Sequence, residues 1–224
     1  MTNLSVVMIT LNEEKAVKKV VTDIKNVVPH AEIIVVDSSS DSTPEIAKGL
    51  GCRVIRQYPP QGYGIAMETA LKSAKNDVIV TLDCDDTYPT EKIPELVKWI
   101  DKGYDIVNAS RLTKRPKNMP VANYLANWFF AFLTRLVHGI DTSDVHSGMR
   151  AYRREVIHSI EWDAPGAAFP VELLIKPIQN GYRFKEIGID YKERMGEVTV
   201  NRLSSVVWTI KRIFKLKFRK TKKG

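Results

Sequence analysis

Thiols are scarce in this chain: Cys52 and Cys84 are the only two cysteines among 224 residues. They cannot build a disulfide framework and do not form a CxxC pair, so stability must come from an ordinary core. A chain of this length buries such a core without disulfides or a structural metal. No uninterrupted apolar run approaches the ~18 residues that suggest a membrane span. The opening Met1-Thr2-Asn3-Leu4 lacks a basic region followed by an apolar stretch, which predicts no secretory signal. GxxxxGK[ST] is missing, which argues against a P-loop NTPase, and the first hydrophobic run is not followed by GxGxxG. Acid is missing from one end. From Leu203 onward stand eight basic residues (Lys211, Arg212, Lys215, Lys217, Arg219, Lys220, Lys222 and Lys223) and no carboxylate. The other 26 basic residues match the 26 acidic ones, so the net charge of +8 is a local device at one terminus. A uniformly basic nucleic-acid binder would not look like this. These absences together predict a cytosolic protein or one on the cytosolic face of a membrane.

What is present alternates strand and helix. LSVVMIT (Leu4 to Thr10) is an apolar, β-branched run of the kind found in buried parallel strands. A helix should follow, with Asn12 as N-cap, Glu13 and Glu14 in the first turn, and Ala16, Val17, Val20, Val21, Ile24 and Val27 at helical spacing. EIIVVD (Glu32 to Asp37) reads as a second buried strand, and Ser42-Thr43-Pro44 opens a short helix. Strands are expected over Arg53 to Arg56, Asp77 to Leu82 and Asp105 to Ser110, with helices over Gly64 to Ser73 and Glu91 to Lys102. Short hydrophobic strands separated by helices imply an α/β fold, a mostly parallel central sheet with helices on both faces. After Arg111 the character changes. A basic loop (Lys114, Arg115, Lys117) precedes an aromatic helix (Tyr124 to Val137); two further helical stretches and a strand over Arg183 to Asp190 lead to the basic tail. Residues 1–200 are expected to form the catalytic domain and 201–224 a basic amphipathic C-terminal helix and tail.

In open α/β sheets ligands bind beyond the carboxyl ends of the strands. Three such ends carry notable residues: Thr10-Leu11-Asn12-Glu13, Asp37-Ser38-Ser39-Ser40-Asp41 and Asp83-Cys84-Asp85-Asp86. Asp37 alone reads equally as a cap or turn residue. Three carboxylates within four residues repel one another unless a cation offsets them. Asp83 and Asp85 can aim two oxygens at one hard divalent ion, leaving positions for water and a diphosphate; the alternative is a solvated acidic turn. Gly62-Tyr63-Gly64 reads as a tight turn entering a helix.

The ordered motifs VVMITLNEE, EIIVVDSSSDST, QGYGIAMETAL, TLDCDDTYPTEKIPELV, DIVNASR and SDVHSGMRAYRREV, spanning Leu4 to about Glu197, resemble the family 2 glycosyltransferases of GT-A fold. The likeness is greatest to the polyprenyl-phosphate hexose synthases. That resemblance implies a nucleotide-sugar donor, with Asp37 at the base or ribose, and Thr10, Asn12, Glu13, Gly64 and Asp83 in the donor site. Asp83 and Asp85 match the metal-binding DxD, holding Mg2+ or Mn2+, with Asp85 the surer ligand. Arg111 matches a basic residue near the phosphates; Ser147, Arg150 and Arg194 complete the expected acceptor or phosphate set. The chain departs from the pattern at Ser38-Ser39-Ser40, where glycine is common, at Gln61 for lysine, and at Thr87 for a glutamine ligand. It departs again at Gly196-Glu197-Val198-Thr199, which lacks a lysine that Arg194 could replace.

The chemistry implied is inverting transfer of a hexose, of mannose or glucose type, from GDP- or UDP-sugar to a polyprenyl (dolichyl-type) phosphate. Such a phosphate, with its second pKa near ~6, is already a dianion and needs no strong base. A hydroxyl acceptor on a glycan or small molecule would need one, and Asp144 is then the expected base. Arg150 reads either as a phosphate ligand or as a surface ion pair, and His146 as a loop histidine rather than a third metal ligand. A catalytically silent nucleotide- or membrane-binding module is the reading of another class, and the intact Asp83 and Asp85 argue against it. Leu125, Trp128, Phe129, Phe132, Leu133 and Leu136 share one helical face, and Val206, Val207, Trp208, Ile210, Ile213 and Phe214 interleave with tail cations. Both patterns suit an anionic membrane surface; a core-packing helix and a solvated tail are the plainer alternatives. The expectation is a peripheral enzyme on the cytosolic face, compatible with a membrane-protein partner and with no nucleic-acid partner.

Overall fold

The computed structural model describes residues 3–113, 115–116, 119–164, 166–195 and 202–218, with backbone alone for 202–204. Lys114 and Lys117 of the basic loop, the 196–199 segment and the cations beyond Phe218 lie outside the described residues.

Among the described residues seven strands and eight α-helices follow in order: β1 (Leu4–Thr10), α1 (Val17–Val27), β2 (Glu32–Asp37), α2 (Thr43–Gly49), β3 (Arg53–Arg56), α3 (Tyr63–Ser73), β4 (Val78–Thr81), α4 (Ile93–Asp101), β5 (Ile106–Ser110), α5 (Val121–His138), β6 (Arg150–Arg153), α6 (Arg154–His158), α7 (Phe169–Gln179), β7 (Phe184–Gly188) and α8 (Arg202–Phe218). The strands form one sheet in the order β3-β2-β1-β4-β6-β5-β7. All neighbours are parallel except those of β6, which runs antiparallel between β4 and β5. This strand comes from RAYR, a stretch not among the expected strands, and its four residues are too few for a period to show.

Alternation along the strands builds two cores. Val6 and Met8 of β1 join Val35, Val80 and Leu96 on one face. Val7 joins Ile34, Ile79, Met67 and Phe169 on the other. Period-2 alternation with apolar residues on both faces is what a doubly covered sheet requires. A third cluster lies off the sheet: Phe130, Leu133, Val171, Leu174 and Ile175 close around Ile213 and Leu216. This cluster corrects the expected division after residue 200, because α8 shares a core with α5 and α7. Arg212 of α8 is buried against Glu172, and Lys215 reaches Asp163 at 2.7 Å. Helix α8 is therefore neither a separate appendage nor a solvated run.

Asn12 is not an N-cap. It takes a positive φ of 59° in the turn after β1, and α1 begins five residues later with Ala16 as its cap residue. The Asn12 side chain serves the neighbouring strand end instead, where its Oδ1 accepts from the Ser40 amide at 2.9 Å. Asparagine tolerates this left-handed conformation better than most residues.

Candidate functional site

The parallel registry sets Thr10 beside Asp37, and β4 delivers Asp83 and Asp85 just beyond its end. These strand ends frame a cavity of about 410 Å3, whose lining includes Thr10, Glu13, Ser38, Asp83, Asp85 and Arg194. The site thus gathers five residues that the sequence singles out: Thr10, Glu13, Asp83, Asp85 and Arg194.

Asp85 is buried, and each of its oxygens has a fixed duty. Oδ1 accepts from the Thr87 hydroxyl at 2.5 Å and its amide at 3.2 Å, while Oδ2 pairs with Arg194 at 2.9 Å. The other guanidinium nitrogen of Arg194 meets Glu13 Oε1 at 2.8 Å. Asp83 is not party to any of these bonds. Its carboxylate fills the space where a side chain at position 148 would begin: a Cβ on Gly148 would stand 2.6 Å from Asp83 Oδ2.

Charge is crowded here. Burial, reinforced by the Asp85 charge, pushes the Asp83 carboxyl up to about 7 despite the opposing pull of Arg111 and Arg194. Burial also raises Glu13 to about 7; Arg194 opposes this, and Asp85 and Asp83 add to it. One guanidinium thus leaves the cluster short of positive charge. The donor set suits a hard divalent cation: carboxylate oxygens, two of which already hold a cation. Among the described residues no three such groups converge as a ready-made metal cage, so Asp83 and Asp85 would leave most coordination positions to oxygens from outside the protein.

A model of the glycosyl transferase family 2 matches residues 5–160. The chain belongs to that family. It is 46% identical over 200 residues to the dolichyl-phosphate hexose transferase of Haloferax volcanii, covering 89% of this chain and 87% of the relative. Polyprenol monophosphomannose synthase of Mycolicibacterium smegmatis is 29% identical over 219 residues, covering 89% and 80%. Among solved structures, glucosyl-3-phosphoglycerate synthase from Mycobacterium tuberculosis, in complex with Mn2+, UDP-glucose and phosphoglyceric acid, superposes with a TM-score of 0.78 at 23% identity. It covers 96% of this chain and 80% of its own, and shows that the fold is GT-A.

In this glycosyltransferase the remaining expected residues take unequal places. Asp37 is fully buried beneath the cavity rather than on its wall. It accepts from Thr10 Oγ1 at 2.7 Å and from Ser39 Oγ at 2.6 Å, and it pairs with Arg56. The serines that replace the common glycines therefore help anchor the strand end. Gly64 lies in the first turn of α3 and is a packing residue, since a Cβ there would collide with the Ala164 carbonyl. Arg111 and Asp144 form a two-pronged pair, Nε to Oδ2 at 2.6 Å and Nη2 to Oδ1 at 2.8 Å. Burial works to raise the Asp144 pKa, but Arg111 outweighs it and holds the carboxyl below its usual range. A buried, doubly bonded carboxylate of that kind is a poor proton acceptor, so its place is to orient Arg111.

Two phosphate-binding expectations are corrected. Arg150 is buried, and it donates to Asn108 Oδ1 at 2.6 Å and to the carbonyls of Pro170 and Val145 at 2.6 and 2.7 Å. It is neither a phosphate ligand nor a surface ion pair; it braces β6 against β5 and α7. Ser147 is also buried and donates to the Ala109 carbonyl at 2.6 Å. His146 binds Thr209 of α8 at 2.9 Å and is held neutral by burial, its pKa lowered to about 4.

Sequence reasoning missed Trp208 as part of this site. It lines the cavity beside Ala167, with its ring against Gly166. A tail tryptophan carries no sequence signal that its helix folds back over a strand end more than 120 positions earlier.

Proposed function

We propose that this glycosyltransferase moves a hexose from a GDP- or UDP-sugar to a polyprenyl phosphate of dolichyl type while seated on the cytosolic face of a membrane. The observation that carries this reading is the near full-length likeness to a dolichyl-phosphate hexose transferase. The nucleoside would lie over Thr10 and Ser38, and the diphosphate against Asp83 and Asp85. A divalent ion held there, Mg2+ or Mn2+, supplies a Lewis acid for the charge that grows on the leaving diphosphate. Arg111, locked by Asp144, offers a fixed cation to the anionic reactants. A dianionic lipid phosphate attacks without help from a base, which agrees with the absence of a free Asp144. A hydroxyl acceptor would need the base that Asp144 does not provide.

Support for a membrane seat comes from what the helices leave uncovered. Val121, Leu125, Trp128, Phe129, Phe132 and Leu136 of α5 are exposed, with Trp128 and Phe132 stacked 5.8 Å apart. Leu133, expected on that face, is buried in the core. On α8, Val206, Val207, Phe214 and Phe218 are exposed beside Lys211, Lys215 and Lys217, whereas Ile213 is buried. No helix among the described residues is long and apolar enough to cross a membrane. Contiguous apolar surface bordered by cations suits the boundary between anionic headgroups and acyl chains.

The test is incubation with GDP-mannose or UDP-glucose, polyprenyl phosphate in anionic vesicles and Mn2+, with products weighed by mass spectrometry. A glycosylated lipid phosphate is expected. Turnover on a soluble hydroxyl acceptor with no lipid product from any donor would refute the reading.

A further inference from the structure

The segment that follows β7 lies across the strand-end loop of β4. The Lys192 amide donates to the Thr87 carbonyl and the Met195 amide to the Asp85 carbonyl, each at 2.9 Å. This backbone pairing aims the Arg194 side chain back into the carboxylates. Its guanidinium bridges Asp85 Oδ2 and Glu13 Oε1 at 2.9 and 2.8 Å. Since Thr87 holds Oδ1 of Asp85, Oδ2 is the oxygen that Arg194 and any second cation would have to share. The third guanidinium nitrogen, Nε, is buried with no partner among the described residues. A buried donor without an acceptor costs stability, so this pose leaves part of the arginine's bonding capacity unused.

We infer that Arg194 is the resident cation of the Asp85–Glu13 pair, displaced when a divalent ion and the donor's diphosphate enter together, and then a ligand of that diphosphate. The inference rests on the nucleotide-sugar reading above. Two cations cannot share Asp85 Oδ2 without strong repulsion. The ion alone must therefore evict the guanidinium into solvent, whereas the ion with a diphosphate gives it a new anion. A planar fork with an unused Nε–H matches phosphate oxygens well. Arg194 would thus couple metal binding to donor binding as a positioning residue.

Mn2+ titrations followed by electron paramagnetic resonance, on the full chain with and without GDP or UDP, test this directly. Wild type should bind Mn2+ weakly alone and much more tightly with nucleotide. Arg194→Gln should bind Mn2+ alone about tenfold more tightly than wild type, since removal of an adjacent like charge is worth at least one decade. Its gain from nucleotide should shrink, and Arg194→Lys, which keeps the charge but not the fork, should keep Mn2+ binding weak in the absence of nucleotide while recovering only part of the gain from nucleotide. Thermal melts confirm that the variants are folded. Equal or weaker Mn2+ binding by folded Arg194→Gln in the absence of nucleotide overturns the inference while leaving the donor site standing. Failure of wild type and variant alike to bind Mn2+ with either nucleotide would overturn both.

Discussion

Ile213 is fully buried among α5 and α7 side chains, and Leu216 nearly so. Cutting a buried aliphatic back to alanine costs about 2–5 kcal/mol. In a chain of this size each kcal/mol lowers the melting temperature by about 2–4 °C. Ile213→Ala should therefore melt about 4–20 °C below wild type. Deleting residues 203–224 is harsher. It removes both side chains, about 3–6 kcal/mol of transfer free energy, and takes Arg212 from the buried Glu172 carboxylate. Breaking a buried pair costs about 3–5 kcal/mol; Lys176, 2.6 Å from Glu172, stays behind and holds that figure to its lower end. The combined loss rivals the roughly 5–15 kcal/mol that holds a domain together. The truncated protein should fail to unfold cooperatively, and its donor binding should fall with its fold. Differential scanning calorimetry and urea melts on the three proteins decide the matter. A truncated chain that melts within a few degrees of wild type would show that α8 is not part of the core.

Arg150→Met should destabilise the protein rather than raise an acceptor KM selectively, because it strands Asn108 Oδ1 and two carbonyls; urea melts beside kinetics separate the two. Asp144→Asn should lower kcat while leaving Mn2+ affinity near wild type, since it loosens Arg111 and not the metal carboxylates; an unchanged kcat would remove Arg111 from the chemistry. The Asp83 and Glu13 carboxyls, both raised to about 7, contribute stability that is complete below the ordinary carboxylate range and lost as pH rises through about 7. Melting of the metal-free protein should accordingly fall between pH 5 and pH 8, and added Mn2+ should restore more at pH 8; a flat profile would contradict the charge crowding. Trp128→Glu combined with Phe132→Glu should reduce flotation on anionic vesicles without lowering the melting temperature.

Strands β1, β2 and β4 were legible because each is a short, β-branched, doubly buried run whose turn signals bracket it. The carboxylate cluster was legible for a related reason: Asp83 and Asp85 stand where a strand ends, and crowded acids require a cation. Other features escaped because they depend on tertiary partners. RAYR became a strand only because β4 and β5 offered it two edges. Arg150 reads as a phosphate ligand from its place in the SDVHSGMR motif, yet three acceptors converge on it from β5, α7 and the preceding loop. Asp37 read as a ligand contact, whereas Arg56 and two hydroxyls claim its oxygens. The tail cations read as a uniform face, but Arg212 found Glu172 while Lys211 and Lys217 stayed outside. Charge pattern alone cannot separate a cation destined for a buried partner from one left in solvent.

The central claim is that the acceptor nucleophile is a phosphate that needs no base. It is tested most directly by offering the enzyme, with one donor and Mn2+, equal amounts of polyprenyl phosphate and the same polyprenol without its phosphate, in the same vesicles. The account predicts hexose on the phosphate alone, at a rate that falls as pH drops below ~6 and the second phosphate proton returns. Transfer to the free polyprenol at a comparable rate would contradict it.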